Sequence, residues 1–251
     1  MRPWCITLDS VHVPDGFFNA ATSVGAAGVS GATIAVSLRK AGRDLSDRVI
    51  PLAGLVSAFV FALQTLNFPV VAGTSGHLLG GALAAVLVGP WVGSLCIAIV
   101  LFVQSLVFAD GGLSAYGINV LLIAIIPTFT AYGVFRAVRA LLPRQKSSVV
   151  TATTVAAFLS VPLAAAAFAV LFAIGGSVDI AFGSVLIAMV GTHSLIAIGE
   201  ALITAAVVSA VVGARPDLVY GASDLKGPLQ LRSRPGETAL EPCLESPGDG
   251  K

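Results

Sequence analysis

Six long apolar runs, separated by short polar stretches, organise this chain: Phe17 to Leu38, Ile50 to Val71, Leu78 to Phe108, Ile118 to Leu142, Val149 to Ile174 and Ala181 to Val212. A helix that crosses a bilayer needs about 20 mainly apolar residues, so each run predicts a membrane helix. The third is long enough for two. Gly89-Pro90 interrupts it near the middle, where a helix loses a backbone donor and tends to break. Arg39, Lys40, Arg43 and Arg48 follow the first run, and Arg136, Arg139, Arg144 and Lys146 follow the fourth. The positive-inside rule makes both of these loops cytoplasmic. The loops around Thr74-Ser75-Gly76, Asp110-Gly111-Gly112 and Gly175 to Asp179 carry no Lys or Arg and are expected outside. Two outside loops flanking the third run require an even number of crossings, hence a pair of short helices hinged at Gly89-Pro90 or a re-entrant hairpin. The expected fold is an all-α polytopic membrane protein of about six to seven transmembrane helices, N-terminus outside and C-terminus cytoplasmic.

Composition agrees with that pattern and narrows the function. Of 251 residues 56% are hydrophobic and 11% charged, with a mean hydropathy of +0.94; soluble domains carry about 25% charged residues. A net charge of +1 gives no field for nucleic acid. Cys5, Cys96 and Cys243 are far apart and odd in number, so no disulfide framework is expected. The opening MRPWCITLDS lacks the apolar core of a secretory signal, which leaves targeting to the first membrane helix. Gly25, Gly28, Gly31, Gly80, Gly81, Ala82, Ala84 and Ala85 permit close helix packing in lipid, either within the chain or against a partner helix. From Ala214 onward the composition turns to Pro, Gly and charge, and a flexible cytoplasmic tail over 214–251 is expected. The sequence has no phosphate-binding GxxxxGK[ST] motif, so any ATPase would be supplied by another chain.

Candidate chemistry rests on three histidines, His12, His77 and His193. An imidazole in or beside an apolar run is costly unless it has partners. His12 sits in Val-His-Val-Pro-Asp-Gly before the first helix, and His77 in Gly-Thr-Ser-Gly-His-Leu-Leu-Gly on an expected outside loop. Both fall on one face of the membrane, as structural residues or as a metal-ligating pair. Gln64 and Asn67 close the second run and either orient a liganding imidazole or reach for the interface. His193 and Glu200 lie seven residues apart on one face of the last helix, either bonding between helices or taking part in metal passage. Asp15 and Asp110 read first as turn formers, and second as carboxylates that help attract cations at the outer mouth.

Four blocks, HVPDGFFN, LNFPVVAGTSGHLLGGALAAVLVGPW, FADGGLSAYGINVL and GTHSLIAIGEALIT, resemble the cobalt/nickel substrate-binding membrane subunit (CbiM/NikM) of energy-coupling-factor importers. The resemblance spans Val11 to Ala214. After Asn119 it weakens, because Leu121 to Ile126 replace a more polar run. It implies a non-enzymatic transport subunit of the inner membrane that holds no resident cofactor and binds Co(II) or Ni(II) as substrate, for cobalamin synthesis or nickel enzymes. It also implies an N-terminus tucked into the bundle, and partners: ATP-binding cassette subunits, a transmembrane coupling subunit and a small accessory membrane protein. The implied ligands are a terminal amine at Val11, the backbone nitrogen and imidazole of His12, and the His77 imidazole. Such a four-nitrogen square suits Ni(II) and can hold Co(II), while rejecting Mg²⁺ and Ca²⁺, which prefer oxygen. Gln64, Asn67, His193 and Glu200 are the candidates to surround it. The competing readings are an ion-coupled secondary transporter, against which the scarcity of midplane ionisable groups and the lack of a repeat both argue, and a vitamin-binding subunit, which would not need paired histidines.

As written, Val11 has a peptide nitrogen and cannot supply an amine. Residues 1–10 read as an extension created by an early start assignment, because a GTG codon at position 11 would be translated as Met at initiation; processing that exposes Val11 is the alternative. That divides the chain into the extension 1–10, the metal-binding membrane domain 11–213 and the tail. Protein made from the native gene is expected to have an intact mass lacking MRPWCITLDS; a mass that includes those ten residues would refute the reassigned start.

Overall fold

A computed structural model describes residues 12–44, 49–69 and 75–225. Among these residues eight α-helices follow one another: α1 (Ala20–Asp44), α2 (Val49–Gln64), α3 (Gly81–Val88), α4 (Pro90–Val107), α5 (Tyr116–Asn119), α6 (Ile126–Leu141), α7 (Lys146–Gly175) and α8 (Phe182–Ala214). A short antiparallel hairpin, β1 (Asn67–Pro69) and β2 (Ser75–His77), separates α2 from α3. The apolar pattern therefore continues to Val71, but the helix stops at Gln64. Pro69 has no N–H to give a helix and disfavours helical backbone at Phe68, and the chain turns extended.

Among the described residues, five spans are long and apolar enough to cross a bilayer: Ala20–Arg43, Pro90–Val107, Tyr116–Leu141, Lys146–Gly175 and Phe182–Ala214, with Val49–Gln64 as a shorter apolar helix. The span from Tyr116 is continuous but widens into a π-helical turn at Val120–Ile125. Pro127 follows directly, and a wider turn relieves the clash of its ring with the preceding carbonyls. Side chains such as Val24, Ile99, Ile187, Leu195 and Leu202 are more than half exposed, which is tolerable on a surface facing lipid.

The third apolar run breaks at Gly89, whose φ of +89° ends α3 and lets Pro90 begin α4. The two halves are unequal. Eight residues give α3 a length of about 12 Å, less than half of a ~30 Å hydrocarbon core, and all eight are buried. It is a half-helix enclosed by the others. Glycines make that enclosure possible: a Cβ on Gly81 would stand 2.9 Å from the Pro127 carbonyl carbon, and one on Gly93 the same distance from that of Ala84.

The start of the 214–251 stretch packs on the same bundle. Residues Pro216–Leu218 and Tyr220–Leu225 form two 3₁₀ turns, with Val219 and Ala222 fully buried. The Tyr220 ring lies over Gly89, Gly221 lies against Phe135 and Val86, and Asp224 pairs with Arg139. Residues 226–251 lie outside the described residues.

Gly81→Ala is expected to lower stability by about 1–3 kcal/mol, because the atoms it would strike are backbone and cannot swing away. Gly133→Ala, where the added Cβ meets nothing, should be neutral or stabilising by up to about 1 kcal/mol. Thermal unfolding in detergent compares the two; equal melting temperatures would contradict the close packing of α3 on α6.

Candidate metal centre

His77 ends β2 and His12 lies in the extended segment before α1. Both are buried, at 4% and 5% exposure, and their rings meet edge to face with centroids 4.8 Å apart. The chain thus brings together two imidazoles separated by most of α1, α2 and the hairpin. His77 Nδ1 lies 2.9 Å from the Leu78 carbonyl. A carbonyl can only accept, so the ring proton sits on Nδ1 and the lone pair on Nε2. This is the usual way a liganding histidine has its tautomer fixed. Burial, reinforced by the neighbouring His12 ring, pushes the His77 pKa down to about 3, which keeps the imidazole neutral, the form that can ligate.

His12 turns its backbone nitrogen and its Nδ1 the same way. The first donates to Asp110 Oδ1 at 3.3 Å, and the second lies 3.1 Å from Asp110 Oδ2. Asp110 belongs to the loop between α4 and α5, which clasps the N-terminal segment along its length. Asn119 takes the Val13 N–H on Oδ1 at 3.0 Å and donates from Nδ2 to the Val13 carbonyl at 3.2 Å. Gly112 N–H donates to the same carbonyl at 3.0 Å. Asp15 Oδ1 accepts from the Ser114 N–H at 2.8 Å and from its hydroxyl. Gly111 has a φ of +90°, and a Cβ there would fall 2.8 Å from that of His12; its glycine makes room for the imidazole.

The loop carrying His77 is held from the other side. Gln64, fully buried at the end of α2, donates to the Leu79 carbonyl at 3.2 Å. Glu200 of α8 accepts the N–H groups of Leu79 and Gly80, at 2.6 and 3.0 Å. His193 Nδ1 donates to the Met189 carbonyl at 2.8 Å, one turn back in α8, and the far edge of its ring lies beside Gly76, where a Cβ would be 3.1 Å away. Asn67 stands opposite His77 in the β1–β2 ladder, with its side chain exposed. Val11 lies outside the described residues.

Of the residues singled out from sequence, His12, His77, Gln64, His193 and Glu200 thus converge around one loop, and Asn67 reaches it through strand register. From sequence, Asp110 and Asp15 read as turn formers or as groups attracting cations at the outer mouth, and Asn119 had no role. The only signal for Asn119 was a lone amide opening an apolar run. Among the described residues, no three His, Cys, Asp or Glu side chains are grouped so as to hold a metal ion. Any cation held here by His12 and His77 would need backbone or terminal nitrogens as well.

The fold is that of a multi-pass membrane protein with a buried histidine pair inside its bundle. Residues 12–218 match the model of the CbiM family, described as the cobalt uptake substrate-specific transmembrane region, and the chain belongs to that family. Its relatives include a protein named for metal transport in Haloquadratum walsbyi, 38% identical over 84% of this chain and 94% of that one. A cobalt transport protein of Moorella thermoacetica is 33% identical, covering 76% of this chain and 70% of that one. A crystal structure of a transition metal transporter superposes with a TM-score of 0.76 at 26% identity, covering 86% of this chain and all of that one. The coarse function follows: a membrane component of cobalt or nickel transport.

Asn119→Ala removes both side-chain bonds to Val13 and leaves its half-buried N–H without that partner, a loss of about 1 kcal/mol. The N-terminal segment should then open more readily, read as faster amide exchange at Val13; unchanged exchange would show that the clasp does not hold it.

Proposed function

We propose that this chain is the substrate-capturing subunit of an ATP-driven energy-coupling-factor importer for Co(II) or Ni(II). The observation that carries the reading is the His12–His77 pair: buried, 4.8 Å apart, with the His77 lone pair on Nε2 by virtue of the Leu78 bond. The amide nitrogen and Nδ1 of His12, turned to the same side, would close one chelate ring. An amine at Val11 would close a second, and His77 Nε2 would complete the square. Four nitrogens in that arrangement match the preference of Ni(II) and accommodate Co(II). Deprotonation of the His12 amide makes capture release a proton, and the Asp110 carboxylate would have to yield the His12 edge to the cation.

Metal enters from outside, where the loops bearing His12, His77 and Asp110 lack the basic residues of the opposite face. ATP hydrolysis takes place on partner cassette subunits and reaches this chain through a transmembrane coupling subunit, with a small accessory membrane protein completing the assembly. The chain performs no chemistry on its cargo beyond exchange of ligands. Its service is to cobalamin synthesis or to nickel enzymes.

Calorimetry with NiCl₂ and CoCl₂ on detergent-solubilised protein made from the native gene tests the reading. Binding is expected for the unaltered protein, and a loss of at least about 100-fold for His77→Ala, consistent with removal of one of four ligands plus its fixed orientation. Unaltered affinity in His77→Ala would remove the metal site from these residues.

A further inference from the structure

Glu200 is fully buried in α8, 18 residues past the first residue of that helix, or about 27 Å along it. A carboxylate at that depth in an apolar bundle needs a purpose, and its partners are not another charge. Oε2 accepts the Leu79 N–H at 2.6 Å and Oε1 accepts the Gly80 N–H at 3.0 Å. These N–H groups immediately precede α3, which starts at Gly81 inside the bundle. A helix N-terminus presents unpaired donors and a partial positive charge, both of which a carboxylate satisfies.

The consequence runs up the chain. Leu79 is held at its N–H by Glu200 and at its C=O by Gln64. Leu78, one residue earlier, supplies the carbonyl that fixes the His77 ring. Gly80 adopts a φ of +74°, with Val60 packed where a Cβ would be; its backbone has one way to sit. From Glu200 to the His77 imidazole there is thus an unbroken sequence of specified backbone groups.

We propose that Glu200 is the positioning residue of the site: acting through Leu79, Gly80 and the Leu78 carbonyl, it sets the height and direction of His77 Nε2 without touching the cation. The proposal rests on the metal reading above. Glutamine in its place has one acceptor oxygen, and its NH₂ would face the second N–H, so one of the two amides loses its partner and the loop shifts.

The test is a double-mutant cycle on NiCl₂ binding with detergent-solubilised protein from the native gene. Glu200→Gln is expected to weaken binding by about 10–100-fold, the usual cost of disturbing a group behind a ligand. It should also move the visible Ni(II) absorption toward that of His77→Ala. The double variant should bind no more weakly than His77→Ala alone, because both changes act through one imidazole. Wild-type affinity in Glu200→Gln, or losses that simply add in the double variant, would overturn the proposal. Wild-type affinity in His77→Ala would instead overturn the metal reading itself. Should Glu200→Gln fail to fold, Gln64→Met carries the same cycle, since it releases Leu79 from its other side; additive losses there count equally against the proposal.

Discussion

Where a backbone leaves helical geometry inside an apolar bundle, every N–H and C=O it frees must find a partner within the protein, since water is absent and each orphan costs several kcal/mol. The segment from His77 to Gly80 meets that constraint with side chains from two other helices and with its own histidine. The other particulars of the fold follow from it. A loop that descends into the bundle leaves only a half-length for the helix that continues it, so α3 has eight residues. A half-helix surrounded on all sides must be small at its contacts, hence Gly81 against Pro127 and Gly93 against Ala84. Its far end has to turn back at once, which Gly89 and Pro90 accomplish, and Tyr220 closes over that turn.

The N-terminal segment from His12 to Asn19 is anchored by two different means. Its leading part, His12 to Asp15, is held by Asp110 and Ser114 of the α4–α5 loop and by Asn119 of α5. Its trailing part is held by aromatic packing, with Phe17 against Phe168 and Phe172 and Phe18 against Phe168, and by backbone bonds to Gly175, the last residue of α7, and to Ser177 just beyond it. Directional bonds fix where the His12 nitrogens point, and apolar burial fixes how deep they sit. Each of the two imidazoles is therefore positioned by its own set of helices, and their meeting is a property of the assembled bundle.

Local chemistry was legible in the sequence; what depends on three-dimensional proximity was not. The apolar runs, the break at Gly89-Pro90 and the histidine pair could be read because length, a proline and a polar ring in an apolar context each speak for themselves. The strand after Gln64 was masked by continuing hydrophobicity. The tail assignment overlooked Val219 and Ala222, two apolar residues amid charge whose burial depends on the bundle against which Tyr220 and Gly221 pack. Asn119 lies more than one hundred residues from Val13, and no periodicity connects them. Glu200 was visible as an intramembrane carboxylate, but backbone amides leave no signature of their own, so its target could only come from the structure.

The distribution of oxygen donors bears on which cation the proposed site would accept. Magnesium and calcium require several free oxygens, and the carboxylates near the histidines are already engaged. Glu200 is bound to two amides, and Asp15 to Ser114. Asp110 lies against the His12 edge itself, the edge it would yield to a cation bound by the nitrogens. A hard ion would have to exchange a full hydration shell for nitrogens it does not favour, whereas a borderline metal with a preference for nitrogen gains by the exchange. On this reading, discrimination against the abundant divalent ions comes as much from carboxylates committed elsewhere as from the imidazoles presented.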